Sequence, residues 1–264
     1  MRSFQEITAG EAKRIKYVLC DIDDTITKNG KMTERSYSAL WKLHRSGISV
    51  IPVTGRPAGW CDLIIRQWPV EAVVGENGAF VYYYDSNGEL KTFTHPDAIE
   101  GVREKFALML EKAMKEVPGC RAAKDQFSRK YDLAIDFRED EPYLSISDAE
   151  KIKSICESFG AIAKISSIHV NTWFGQYNKV SMAQLFMHKI LKEDSPEEES
   201  IFFGDSPNDE PMFSAFPMSC AVANINQFAD KMSYLPPFVT EKPSADGFAD
   251  AVDIILERIK QIEN

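Results

Sequence analysis

Short apolar runs that stop abruptly at acidic or hydroxyl residues set the rhythm of this chain. Arg14 to Cys20, ending in Tyr17-Val18-Leu19-Cys20, is predicted as a strand that halts at an acidic cluster. Thr33 to Arg45 has a helical period, with Tyr37, Leu40, Trp41 and His44 on one stripe and Gly47 just past its end as a C-cap. Ile48 to Val53 reads as a second strand, Ala58 to Gln67 as a helix, and Ala72 to Val74 as a third strand ahead of Glu76-Asn77-Gly78. Strands and helices in alternation imply a parallel sheet with helices on its faces, and ligands of such sheets bind beyond the carboxyl ends of the strands.

The pattern then changes. Ala79 to Tyr84 and Glu89 to Thr94 flank Asp85-Ser86-Asn87-Gly88, a hairpin signal. The chain continues as a helix (Ile99 to Lys115), a strand (Leu133 to Phe137), a helix (Asp148 to Phe159) and strands at Ile162 to Ile165 and His169 to Trp173. The parallel pattern resumes with a helix from Val180 to Leu191, the strand Ile201 to Phe203 ending at Gly204-Asp205, a last strand Ser219 to Val222 and a closing amphipathic helix Ala249 to Ile262. The expected fold is α/β, with a Rossmann-like parallel-sheet core from residues 1–94 and 175–264 and an α+β insert from 95–174.

Composition is consistent with this. Hydrophobic residues at 44% and charged residues at 27% give the 264-residue chain enough apolar side chains for two cores. A net charge of −9 works against binding a polyanion, so nucleic acid is not an expected partner, while a few lysines and a metal ion can still make one cleft attractive to a small anion. The N-terminus has no apolar segment of signal-peptide length and nowhere do ~18 apolar residues run without a charge, so a cytoplasmic protein without membrane contact is expected. Five scattered cysteines without CxxC spacing read as reduced, mostly buried thiols.

The chemistry gathers at the strand ends. Asp21-Ile22-Asp23-Asp24-Thr25 puts two carboxylates two residues apart after an apolar strand, so both point to one side and repel. A hard divalent cation offsets that repulsion, and Mg²⁺ suits a site of few carboxylates that keeps water and a substrate phosphate. At the second strand end, Thr54-Gly55-Arg56-Pro57 offers a hydroxyl and a residue without Cβ, able to hold a phosphate oxygen. Lys179 stands at a helix start, where its charge opposes the helix dipole and calls for an anionic partner. Gly204-Asp205-Ser206-Pro207-Asn208-Asp209 adds two acids and an amide at a third strand end.

Taken together and in this order, Asp21 to Thr25, Thr54, Lys179 and Gly204 to Asp209 resemble the four motifs of the haloacid dehalogenase-like superfamily of phosphohydrolases. The position of the insert, between Thr54 and Lys179, and Glu76-Asn77-Gly78-Ala79 resemble its subfamily IIB, the branch with the Cof-type sugar phosphatases and sucrose-phosphate phosphatase. Asp24 departs from the pattern, since many members of that branch have Gly there.

The resemblance implies a Mg²⁺-dependent phosphatase acting on a small phosphorylated metabolite, with a sugar phosphate favoured. In that reading Asp21 is the nucleophile and Asp23 the general acid and base, its backbone carbonyl facing the metal. Asp205, with Asn208 and Asp209 directly or through water, completes the metal shell, and Thr54 and Lys179 bind the phosphoryl oxygens, with Gly55, Arg56 and Asn208 as further substrate contacts. The insert becomes a cap that sets specificity, with Arg129, Lys130, His169, Asn171 and Trp173 as candidate contacts, for each of which a surface or core role is the better explanation. A sugar phosphomutase and a non-catalytic sugar-phosphate sensor are the competing readings. A dehalogenase fits less well, because it has no alkoxide for Asp23 to protonate.

Overall fold

The computed structural model describes residues 1–263 apart from 100 and 167. The chain begins with β1 (Arg2–Ser3), α1 (Ala9–Lys13), β2 (Tyr17–Cys20), the small hairpin β3 (Thr27–Lys28) and β4 (Lys31–Met32), α2 (Glu34–Arg45), β5 (Ser49–Pro52), α3 (Ala58–Gln67) and β6 (Ala72–Gly75). Next come β7 (Phe80–Tyr84), β8 (Leu90–Thr94), α4 (Arg103–Glu116), β9 (Arg121–Ala122), β10 (Asp132–Asp136), α5 (Ile146–Ser158), β11 (Ile162–Ile165) and β12 (His169–Trp173). The last segment holds α6 (Lys179–Phe186), β13 (Ser200–Gly204), α7 (Glu210–Ala215), β14 (Ser219–Ala221), β15 (Phe238–Val239) and α8 (Ser244–Glu263).

Six strands form a parallel sheet in the order β1-β15-β14-β13-β2-β5. Its strands β2, β5 and β13 read as largely apolar runs because both faces are covered. Val18, Cys20, Val50, Ile201 and Phe203 pack with residues of α2, α3 and α8 in one core, while Leu19, Ile51 and Phe202 pack with α6 and α7 in another. Cys20 lies opposite Phe203 on one side and Pro52 on the other, so the residues that follow these three strands leave the same edge of the sheet side by side. All five cysteines are free and buried.

The strand expected at Ala72 to Val74 does form, yet it is not a full member of the parallel sheet. β6 pairs antiparallel with β7, and β7 with β8, and it meets β5 through a single parallel bridge, Val53 to Val74. Ser49 and Val53 donate their N–H groups toward β2, and Thr54 donates to Val74 O, so Pro52 faces β6 at a position where it has no N–H to give. The ladder between β5 and β6 is interrupted there.

Residues 103–174 contain a four-stranded antiparallel sheet, β11-β12-β10-β9, with α4 and α5 on one face. Leu133, Ile135, Val170 and Ala163 fill a third core with Met109, Ala113, Ile152 and Cys156. On the opposite face, register places Asp132 beside Trp173, Ala134 beside Asn171 and Asp136 beside His169.

Three boundaries differ from expectation. Arg14 ends α1, whose capping box is Thr8 with Glu11, and β2 starts only at Tyr17. α4 begins at Arg103 instead of Ile99, with residue 100 outside the described set, and α8 begins at Ser244. The two-residue strands β1 and β15 lie beyond the last strand expected and complete one edge of the parallel sheet.

Candidate active site

Asp21 follows β2 directly, and its N–H donates to Phe203 O at 2.9 Å, which fixes the carboxylate at the sheet edge. The chain then reverses through a wide turn, Ile22–Ile26, in which Asp24 takes φ 57°. That left-handed conformation is the physical reason for a glycine preference at this position, and Asp is one of the few residues with a side chain that tolerates it. Asp23 points outward, held on both carboxylate oxygens by Arg56, Nε to Oδ2 at 2.9 Å and Nη2 to Oδ1 at 2.7 Å. The Arg56 guanidinium lies 4.3 Å over the Trp60 ring and 3.7 Å from Asp125 Oδ2.

Lys179 opens α6, behind an Asn178 capping box with Ser181. Its buried Nζ donates to Asp21 Oδ1 at 2.7 Å and to Asp209 Oδ1 at 3.0 Å. The approach depends on Gly78, at φ 107°, because a Cβ there would sit 2.2 Å from Asn178 O. Asp209 uses its other oxygen to accept from Asp205 N at 3.1 Å. Asp205 in turn accepts from Thr25 Oγ1 at 3.4 Å, Ser206 Oγ at 3.1 Å and Asn224 Nδ2 at 3.2 Å. Asn224 also donates to Asp24 O at 3.0 Å and accepts from Ser244 N at 3.0 Å, linking the two acidic loops to the start of α8. Sequence reasoning missed Asn224, since it lies in a loop far from every motif.

Oxygens of Asp21, Asp205 and Asp209 all lie within 4.8 Å of one another. Burial, together with repulsion from Asp209 and Asp23 and against the attraction of Lys179, pushes Asp21 up to about 7. Burial and the charges of Asp209 and Asp21 push Asp205 well above the usual carboxylate range. Burial works to lower Lys179, but Asp209 and Asp21 hold it well above an ordinary lysine. Lys179 thus compensates the Asp21–Asp209 pair, while Asp205 receives only neutral donors among the bonds described above. An oxygen-rich cluster with this surplus of negative charge fits a hard divalent cation.

Thr54 is fully buried, and its Oγ1 accepts from Arg56 N at 3.1 Å. Gly55 faces Asn77, whose Oδ1 would lie 3.0 Å from a Cβ at that position. Asn208 is not drawn into the cluster. It is exposed, and its Oδ1 accepts from Ser206 Oγ at 2.8 Å. Of the residues singled out in the insert, Trp173 is buried against Tyr177 and donates to its carbonyl, while His169 Nε2 lies 2.9 Å from Glu139. Arg129 is buried and bonded to Asp132, Asp125 and Gly55 O, and Lys130 Nζ reaches Tyr82 Oη. Asn171 keeps a buried Oδ1 with no hydrogen-bond partner among the described residues.

The wider similarities agree with this geometry. A family model of haloacid dehalogenase-like hydrolases matches residues 18–113 and 102–252. A phosphoglycolate phosphatase of Methanosarcina mazei is 26% identical over 248 residues, spanning 92% of this chain and 97% of that protein. One of Pyrobaculum islandicum is 25% identical over 254 residues, spanning 92% and 96%. Among solved structures, a Thermoplasma acidophilum protein aligns with TM-score 0.70 at 18% identity, covering 92% of this chain and 98% of that one. A haloacid dehalogenase-like hydrolase of Bacteroides thetaiotaomicron aligns at 0.66 and 14%, covering 91% and 99%. With its motifs clustered on one edge of a parallel sheet and the family model spanning most of its length, the chain belongs to the haloacid dehalogenase-like hydrolases.

Proposed function

We propose that this protein is a Mg²⁺-dependent phosphatase that hydrolyses a small phosphorylated metabolite, a sugar phosphate, through an aspartyl-phosphate on Asp21. The observation that carries the reading is the buried Lys179 ammonium shared between Asp21 and Asp209, with Asp205 beside them. A cation so placed serves the oxygens of a phosphoryl group arriving at Asp21, where charge stabilisation supplies most of the catalytic effect. Asp21 and Asp205, with the Asp23 carbonyl and with Asp209 behind them, would hold the metal. When bound, Mg²⁺ supplies positive charge that lets an anionic ester approach an anionic nucleophile.

In the first step an Asp21 carboxylate oxygen bonds to phosphorus and the ester P–O bond breaks, the leaving oxygen taking a proton from Asp23. In the second, Asp23 takes a proton from water, the water oxygen bonds to phosphorus, and Asp21 and phosphate are released. Asp23 must leave at least one bond to Arg56 to do this, since both its oxygens are occupied.

The relatives' name favours phosphoglycolate as a second reading of the substrate. Against it stands the charge around Arg56, the cation bonded to Asp23. Its guanidinium is already shared with Asp125 and lies within the field of Glu139. A leaving group bearing its own carboxylate would meet these three acids, whereas sugar hydroxyls can donate to them.

Free-phosphate release from hexose phosphates, glycerol phosphate and phosphoglycolate, with Mg²⁺ or with EDTA, tests both points. Turnover that requires Mg²⁺, vanishes in Asp21→Asn and prefers the neutral leaving groups is expected. Release that survives Asp21→Asn would overturn the covalent route, and a preference for phosphoglycolate would overturn the substrate assignment.

A further inference from the structure

Glu76 is a fully buried carboxylate in a left-handed backbone conformation, φ 43°, outside the catalytic cluster. Its Oε1 accepts from Ala58 N at 2.9 Å, in the first turn of α3, and from Lys130 N at 2.9 Å. Its Oε2 accepts from Lys130 N at 3.1 Å, Tyr131 N at 2.6 Å and Asp132 N at 3.2 Å. Three consecutive amides of the insert therefore converge on one side chain of the core, a backbone nest for an anion.

The same short segment also grips the turn that carries Thr54. Glu76 N donates to Arg56 O at 3.1 Å, and Asn77 N donates to Thr54 O at 3.1 Å. From the insert, Arg129 Nη1 donates to Gly55 O at 3.0 Å, and Asn77 Nδ2 lies 3.4 Å from Asp132 Oδ2. Through its carboxylate and its own N–H, Glu76 thus ties residues 130–132 to the turn that the motif resemblance assigns to the phosphoryl group. Two chain crossings already join insert and core, and this bond set adds a further fixed point between them.

We propose that Glu76 is a positioning residue, an anionic clasp that sets the register of the insert over the phosphate-binding turn and so decides how well the leaving group is read. The proposal rests on the phosphatase reading above for its functional consequence, though not for the clasp itself. A leaving-group pocket displaced by an ångström loses on the order of 10²-fold in rate when the reacting geometry depends on it. An ester whose leaving group asks little of the insert loses less.

Glu76→Asp is the variant of choice. Aspartate accepts the left-handed backbone at least as well as glutamate and keeps the charge, so the chain should fold, but its carboxylate is one methylene too short to span α3 and residues 130–132. Hydrogen exchange should quicken by ~10-fold or more at the amides of Lys130, Tyr131 and Asp132, with exchange in β2 and β13 unchanged. For a hexose 6-phosphate, kcat/KM should fall ~10-fold or more, mainly through KM, while p-nitrophenyl phosphate should change by less than ~3-fold. Equal losses on both esters, or unaltered exchange at these amides, would overturn the clasp.

The unsubstituted protein supplies a second check. Lys130 and Tyr131 precede β10, yet their amides should exchange as slowly as those within it, and fast exchange there would also overturn the proposal. If the unsubstituted protein releases no phosphate from any ester, the function proposed above fails, and the exchange measurements still decide the clasp.

Discussion

Arg56 and Asp23 meet through two parallel hydrogen bonds at 2.9 and 2.7 Å, with Trp60 stacked beneath the guanidinium. A fork of this kind sets the direction of a carboxylate as well as its charge, which a lysine could not do. Arg56→Lys should therefore lower kcat for alkyl phosphates on the order of 10-fold or more, with KM changing less. Steady-state phosphate release would check this, and a variant with unchanged kcat would show that the fork does not prepare Asp23.

Lys179→Met removes the ammonium from between two buried acids. Breaking such a pair from one side costs about 3–5 kcal/mol of stability, because the charge left behind is uncompensated. Activity should fall by at least ~10²-fold, as when one transition-state donor is lost. Urea denaturation in EDTA and phosphate release in Mg²⁺ measure the two effects separately, and a variant as stable as the parent would mean that the ammonium does not compensate buried charge at this site.

Asp205→Asn should behave in the opposite way in the absence of metal. The Asp205 carboxyl is pushed well upward by burial and by its neighbours, so its ionised form opposes folding at neutral pH. The amide removes that opposition and keeps the size of the side chain. The metal-free variant should melt higher than the parent at pH 7.5, while its affinity for Mg²⁺ drops on the order of 10-fold or more. Thermal melts with and without Mg²⁺ decide it, and a lower melting point without metal would contradict the charge argument.

The pH dependence of stability follows from the same carboxyls. Asp21 is pushed up to about 7 and Asp205 well above the usual carboxylate range in the folded chain, whereas unfolded carboxyls titrate near ~4. Between those values the folded state holds protons that the unfolded state has lost, so stability falls as pH rises from about 4 to about 7. In EDTA the urea midpoint should be lower at pH 7.5 than at pH 5.5, by a difference on the order of a few kcal/mol in unfolding free energy. Mg²⁺ should raise the midpoint at pH 7.5 more than at pH 5.5, because it competes with protons for Asp21 and Asp205. Equal midpoints at the two pH values in EDTA would argue that these carboxyls are not perturbed.

Much of the site was legible because each part is a local break in a pattern. Asp21 and Asp205 end apolar strands, and Lys179 sits where a helix start disfavours a cation, so each stands out within a few residues. What stayed hidden is long-range. Asn224 joins Asp24 and Asp205 from a loop with no local signal, and Glu76, in a motif noted only for its resemblance, finds its three insert partners more than fifty positions away. The strands β1 and β15 have two residues each, too short to carry a period. The break between β5 and β6 could have been foreseen from Pro52, whose missing N–H is written in the sequence.

The side-by-side order of β13, β2 and β5 also bears on how the molecule comes into being. Asp21 and Lys179 lie 158 positions apart, and Thr25 and Asp205 lie 180 apart. A growing chain emerging from the ribosome carries Asp21 long before the lysine and the later acids exist. Parallel pairing over such distances closes large loops and is slow. Any fragment ending before Gly204 has only part of the acidic cluster, so the chelating power and turnover proposed above would arrive together, late, when β13 slots in beside β2.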